Sequence, residues 1–543
     1  MSDPTVLIQA LVDDLVAADP VLATRLGLTA GIDRLPSHSP AAIDALVRSV
    51  KARLPELEAI AASDDLEHAV DAFAGTQMVR RVLRDFELRA VHRTKPSHYL
   101  DAADGVLLLM MREIAPLDDR LAAIDARLRA LPGVFEEARS NLSGPIARVF
   151  VESALDYAAG VAEMVTDTVR EFATASGREG MLDDASRLAA DAVAGFRTLL
   201  HDRLLPAAVD ECAAGRAVVD DVLRHEHVLD RSADEIAATG RAVMDETRAM
   251  MAALATEMGH ASVEDAVAAI QTAHPVADDL VASYARAVAD ARRFVIERDL
   301  CTLAAGDRCI VGPTPPSLRG ILPFAAYDPP GPYAAEQVGF YWVTPPEAGL
   351  NPAKLDEALT AHPYASLSTV SVHEAYPGHH VQLTRANLAP TLARRIAWLP
   401  SGASLLVEGW AFYCEEMMER EGFLASPEVR LMRLNDQIWR ACRVVIDVEL
   451  HLGRMSFADA VGLLQTTAHM GRHEAEMECR WYAESPGLPM SYLMGKLEVQ
   501  TLAREYARQR TTALKTFHDE LLDWGSLPPR VIAWGMGLGE RPF

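Results

Sequence analysis

Residues Thr369–Gln382 read TVSVHEAYPGHHVQ, which sets His373, His379 and His380 close to Glu374. A histidine followed by glutamate is half of the helical H-E-x-x-H signature. That signature works because residues four apart share a helix face, so two imidazoles reach one ion while the glutamate polarises its water. Here the fourth position after His373 is Pro377, and the next histidines stand six and seven residues on. In an ideal α-helix six residues rise ~9 Å and leave the starting face; seven regain the face but rise ~10.5 Å. Neither spacing lets two imidazoles hold one ion through bonds of ~2 Å. Pro377, however, clashes with the carbonyl of His373 and disfavours helical geometry at Tyr376, and Gly378 permits unusual dihedrals. A local bulge at Tyr376-Pro377-Gly378 that absorbs two residues returns His379 to the place of an ordinary i+4 histidine. His373 and His379 are then the expected metal ligands. His380 points elsewhere, to substrate or to an outer position, and is the reserve ligand. The plainer alternative is a structural histidine cluster.

A third ligand has to come from another element. Ser404–Glu421 (SLLVEGWAFYCEEMMERE) reads as an amphipathic helix, with Leu406, Trp410, Tyr413 and Met417 spaced for burial. Glu408 sits in its most apolar part, where an unpaired carboxylate is costly and needs a cation or a strong donor. A metal meets that need, and so does a salt bridge. Glu415, Glu416 and Glu419 read as a solvated face. Further on, Glu478–Leu497 (ECRWYAESPGLPMSYLMGKL) brings Arg480, Tyr482 and Tyr492 around a Pro-Gly turn. A tyrosine hydroxyl there suits an oxyanion donor, with packing as the alternative. Asp447 and His451 lie four apart in a helical stretch, either as an outer-shell pair or as capping and packing residues.

Outward from these motifs the chain is helical. Segments 40–62, 66–91, 117–131, 148–175, 181–203 and 232–257 repeat apolar residues every three or four positions, with Pro132-Gly133 and Gly144-Pro145 as punctuation. Residues 305–352 are crowded with Pro and Gly around Gln337–Thr344 (QVGFYWVT), the best strand candidate. Helices resume from about 352 and break at Pro486-Gly487-Leu488-Pro489. The expected layout is a helical part over residues 1–300 and a part over 301–543 carrying the sheet and the metal-binding helices, as one interlocked body.

With half its residues apolar and 24% charged, the 543-residue chain is composed to fold rather than to stay disordered. The balance of 52 basic and 77 acidic residues, net −25, opposes nucleic acid and anionic membranes as partners. Six scattered cysteines form no C-x-x-C pair, which disfavours a thiolate zinc site and fits a reducing compartment. Residues 1–25 lack the pattern of a signal peptide, and Gly105–Met111 is far short of a membrane span. The expected location is cytoplasmic.

Four pieces, HEAYPGHHVQ, EGWAFYCEE, RACRVVIDVELH and SPGLPMSYLMGKLE, resemble the bacterial family catalogued as domain of unknown function 885. The resemblance runs from the early DPVLATRLGL to the end of the chain. That family is similar in layout to the helical gluzincin peptidases: thimet oligopeptidase, angiotensin-converting enzyme and the thermostable carboxypeptidases. The resemblance implies a mainly α, zincin-like body with a deep cleft and a small antiparallel sheet beside one zinc ion. It implies His373, His379 and Glu408 as ligands, Glu374 as general base and Tyr492 as the tyrosine that steadies the oxyanion. Gln337–Thr344 becomes the edge strand on which a peptide backbone pairs.

The expected function is therefore a zinc-dependent hydrolase of short peptides. Its rivals are hydrolysis of a non-peptide amide and a silent helical binding protein. A di-iron centre needs paired Glu-x-x-His motifs, and only Glu257-Met-Gly-His260 is found. Arg480 and Arg443 are candidates for gripping a substrate carboxylate.

Overall fold

The protein is described by a computed structural model that covers residues 4–315, 319, 324–334, 336–346, 349–401 and 404–543. Parts of the Pro- and Gly-rich stretch 305–352 thus lie outside the described residues. The fold is mainly α, with helices that start where local chemistry lets them. In the first half, α1 (Pro40–Ala61) opens on Pro40 with Ser39 as cap, and α2 (Leu66–Leu83) is capped by Asp65. Next come α3 (Leu117–Asn141) and α4 (Ala233–Glu257), the latter closed by a Ser232/Glu235 capping box. Pro132-Gly133 does not break the chain; it lies inside α3. The reason is burial of Leu131, Val134 and Phe135 on either side. Each such side chain is worth ~1.5–3 kcal/mol, enough together to outweigh the ~3 kcal/mol cost of an interior proline.

The sheet follows: β1 (Arg308–Pro313), β2 (Ala325–Asp328) and β3 (Val338–Val343), in the order β1-β3-β2. It is mixed rather than antiparallel, because β1 runs parallel to β3 and β2 antiparallel to it. The strand expected at an edge, β3, is the central one, hydrogen-bonded on both sides. The Thr344 N–H donates to the Phe324 carbonyl at 2.8 Å, which fixes the alternation of the β2–β3 ladder. Ala326 and Asp328 then face β3, and the peptide groups of Ala325 and Tyr327 face outward.

The second half supplies α5 (Tyr364–Glu374), α6 (His379–Ala386), α7 (Ser404–Arg420), α8 (Pro427–His451), α9 (Arg472–Glu484) and α10 (Leu488–Gln509). One core joins the chain's two ends, with Ile8, Leu57 and Met78 in the same cluster as Tyr341, Trp410 and Leu521. A second packs α4 on α8, where a Cβ at Gly240 would lie 3.0 Å from Val444. The buried residues of a third all fall between Tyr99 and Leu204. No described helix is long and apolar enough to cross a membrane.

Candidate metal centre

The chain between the two histidines folds more sharply than a bulge. Helix α5 ends at Glu374, Ala375 leaves helical geometry, the Tyr376-Pro377 bond is cis, and α6 starts at His379. Gly378 makes the turn possible because its N–H donates to the Val372 carbonyl at 3.0 Å. A Cβ at Gly378 would stand 1.9 Å from the His373 carbonyl oxygen, closer than any side chain tolerates. The Trp410 indole N–H, from α7, donates to the Pro377 carbonyl at 2.8 Å and pins the turn. His373 at the end of one helix and His379 at the start of the next thereby meet, with ring centroids 4.8 Å apart and planes at 89°.

Glu408 on α7 completes the group. Its Oε2 lies 3.6 Å from His373 Nε2 and 3.4 Å from His379 Nε2, and one donor atom from each of the three residues falls within 4.8 Å of the others. Tetrahedral ligands bound at ~2.0–2.1 Å sit ~3.3 Å apart, so the spacing suits zinc. Glu408 Oε2 is buried and has no hydrogen-bond partner, as a ligand atom would be without its ion. Despite burial, which opposes it, the two imidazoles hold the Glu408 carboxyl well below the usual range. Among the described residues this is the one grouping of three or more such side chains that could hold a metal.

Glu415, read as part of a solvated face, is 2% exposed and accepts from His373 Nδ1 at 2.8 Å. It stands seven residues, two turns, after Glu408, so both carboxylates rise from one face of α7 and bracket the same ring. With Nδ1 committed to Glu415, Nε2 is the nitrogen left on the Glu408 side for a metal to displace its proton. Burial lowers the His373 pKa, but Glu408 and Glu415 outweigh it and raise it to about 10. The heptad spacing was the signal available in the sequence. Glu416 and Glu419 are likewise engaged, with Lys496 and with Arg430 and Arg433.

Glu374 is half-buried at the C-terminus of α5. Burial raises its pKa, and the two imidazoles and the nearby backbone N–H of Tyr327 on β2 pull it back. The Tyr327 ring lies over Gly339, where a Cβ would clash, and its hydroxyl bonds His380 Nδ1 at 2.8 Å. His380 Nε2 approaches Asp307 at 3.4 Å, and Asp307 also accepts from the Tyr376 hydroxyl at 2.7 Å. His380 thus braces β2 against the α5–α6 turn, away from the His373–His379–Glu408 group.

Tyr492 stacks on His373 with centroids 6.1 Å apart. Its helix can come so close because α7 and α10 touch at glycines: a Cβ on Gly495 would lie 1.9 Å from the Leu405 carbonyl. Burial, then the Glu408 charge, push the Tyr492 pKa up, so the hydroxyl remains a donor. The remaining predicted residues have protein partners. The Tyr482 hydroxyl accepts from Trp439 and Arg443, each at 3.0 Å, and donates to Glu478. Arg480 pairs with Asp156 at 2.6 Å and Glu152 at 3.4 Å. Asp447 caps the start of α10 through the N–H groups of Gly487 and Met490, both at 3.0 Å, and His451 bonds the Tyr482 carbonyl.

Residues 20–536 match the family described as "Bacterial protein of unknown function (DUF885)". The chain belongs to that family. Comparison with curated proteins finds no match. Two solved structures share the DUF885 chain's fold. One, a "putative lipoprotein of unknown function" from Shewanella oneidensis, is 23% identical with a TM-score of 0.79, covering 99% of this chain and 100% of that one. The other, a "putative lipoprotein" from Colwellia psychrerythraea, is 18% identical with a TM-score of 0.81, covering 99% of each. Lipoproteins are held at membranes, so these descriptions overturn the cytoplasmic location expected from residues 1–25 and from the cysteine content.

Proposed function

We propose that this DUF885 protein is a zinc-dependent hydrolase of short peptides, of the gluzincin kind. One observation carries the reading: two imidazoles and a carboxylate converge at zinc-ligand spacing with a protonatable glutamate, Glu374, next to one of them. His373, His379 and Glu408 would hold the ion. When bound, zinc supplies a Lewis acid that polarises a carbonyl and acidifies a water. Glu374, its basicity raised by burial, takes the proton of the attacking water and passes it to the leaving amine. Tyr492 donates to the oxygen on which charge develops.

A peptide backbone needs an open strand edge, and β3 has none. The edge strands are β1 and β2, and on β2 the outward peptide group of Ala325 stands two residues from Tyr327, whose backbone N–H is near Glu374. Glu374→Gln keeps the shape and loses the base. It is expected to retain zinc and bind peptides while turnover of a peptide library, read by mass spectrometry, falls by ~100-fold or more. Turnover equal to the wild type would remove Glu374 from the mechanism.

A further inference from the structure

A cavity of about 950 Å³ is connected to the metal centre through two of its walls, although the metal-centre residues themselves do not line it. On one side its wall includes Phe324, three residues before Tyr327, whose backbone N–H is near Glu374; at ~3.4 Å per residue that is ~10 Å of strand. On the other, Trp439 and Trp481 line it and pack on the Arg443 guanidinium at 4.3 and 5.0 Å. That guanidinium is 4.7 Å from the Tyr492 ring, which stacks on His373. The Ala325 edge of β2 thus begins beside a residue of the cavity wall, Phe324.

The wall is apolar where Leu107, Met164, Met477 and the two tryptophans form it. Its charge has one sign to spare. Lys95 and Arg480 are the only lysine and arginine among the described lining residues. Lys95 is held by Glu484 at 3.1 Å and Arg480 by Asp156 at 2.6 Å. Arg443 behind the tryptophans is committed to Glu478 at 2.8 Å. Neither the lysine nor either arginine is thus free to grip a substrate carboxylate, the role considered for Arg480 and Arg443; His473 is the other basic side chain on the wall. Carboxylates exceed these cations. Glu163 and Glu474 line the cavity, are exposed and make no ion pair, and Glu484, 9% exposed, keeps one buried oxygen with no partner.

We propose that this cavity receives short peptides with apolar side chains and zero or positive net charge, and that a C-terminal carboxylate is not what it recognises. The proposal rests on the metal centre being a peptidase site. Charge complementarity sets the preference, and apolar burial supplies the affinity.

The test is calorimetric titration of the zinc-loaded Glu374→Gln protein with acetylated, amidated peptides of one apolar framework bearing two Lys, two Gln or two Glu. The Lys peptide is expected to bind tightest and the Glu peptide weakest, about tenfold apart at low salt and less as salt screens the rim. Replacing Glu163 and Glu474 together by Gln narrows that gap, and Met477→Ala weakens all three peptides alike. Equal affinities, tighter binding of the Glu peptide, or no binding of any peptide would overturn the proposal. So would a tenfold or greater gain on exchanging the C-terminal amide of the neutral peptide for a free acid. The same peptides incubated with zinc-loaded wild type separate the two ideas. Peptides bound with the expected charge order but left uncut would sink the peptidase reading and leave the cavity's selectivity. Cleavage with no charge preference would do the reverse.

Discussion

Glu415→Gln tests whether the carboxylate behind His373 belongs to the metal centre. The His373 Nδ1 to Glu415 Oε1 contact is 2.8 Å long, and the two side chains are 7% and 2% exposed, so water cannot replace it. The second Glu415 oxygen has no hydrogen-bond partner, so this bond accounts for the hydrogen bonding of the carboxylate. Glutamine keeps the shape and removes the charge that makes the imidazole a strong, correctly oriented donor to a metal. Loss of such an outer partner weakens metal binding by ~10–100-fold, or ~1.4–2.8 kcal/mol. The assay is competition for zinc between the protein and a chromogenic chelator near neutral pH, with unfolding free energy measured alongside. A variant that remains folded and binds zinc more weakly by that factor is expected. An unchanged zinc Kd would refute the reasoning, because a buried charged partner of a true ligand cannot be neutralised without effect.

Gly378→Ala places a Cβ against the His373 carbonyl, so it should displace the turn, destabilise the fold by ~1–3 kcal/mol or more and lower zinc occupancy. Wild-type stability and occupancy in that variant would show that the turn has room to spare. His38, whose ring packs on His98 at 4.5 Å, is lowered by burial from 6.5 to about 4, against the opposing pull of Glu137. The unfolded chain then takes up the proton first. The stability contributed by the neutral ring is complete above pH 6.5 and is lost as pH falls to about 4. The loss is at most ~3 kcal/mol. Denaturant unfolding across that window should show it, and His38→Gln should flatten the slope; an unchanged slope would contradict the assignment.

The helical class and the meeting of His373 with His379 were legible because both rest on short-range rules. Helical periodicity marks the burial faces, and Pro377-Gly378 after His373-Glu374 announces that six residues must be folded into the space of four. The amount of folding was underestimated: a bulge was expected, and two separate helices meet instead. The reason is that the Trp410 hydrogen bond that pins the turn comes from the tertiary fold. What stayed hidden was non-local. Pairing of β1 with β3 joins Arg308 to Val338, and nothing in either segment says that β3 will be covered on both edges. Glu415 looked solvated because its neighbours Glu416 and Glu419 are charged too; only the partners on α5, α10 and α8 show all three to be engaged. Tyr482 and Arg480 sit in motifs of the right composition, yet their polar groups go to Glu478, Trp439, Arg443, Asp156 and Glu152. Location was not legible from composition at all.

The most direct measurement is the zinc content, by elemental mass spectrometry, of wild type and Glu408→Ala purified without chelators and then offered zinc. About one zinc per chain in wild type, lost in the variant, is the predicted result for a three-ligand site. No stoichiometric zinc in wild type, or full retention without the Glu408 carboxylate, would contradict the metal centre and with it the hydrolase.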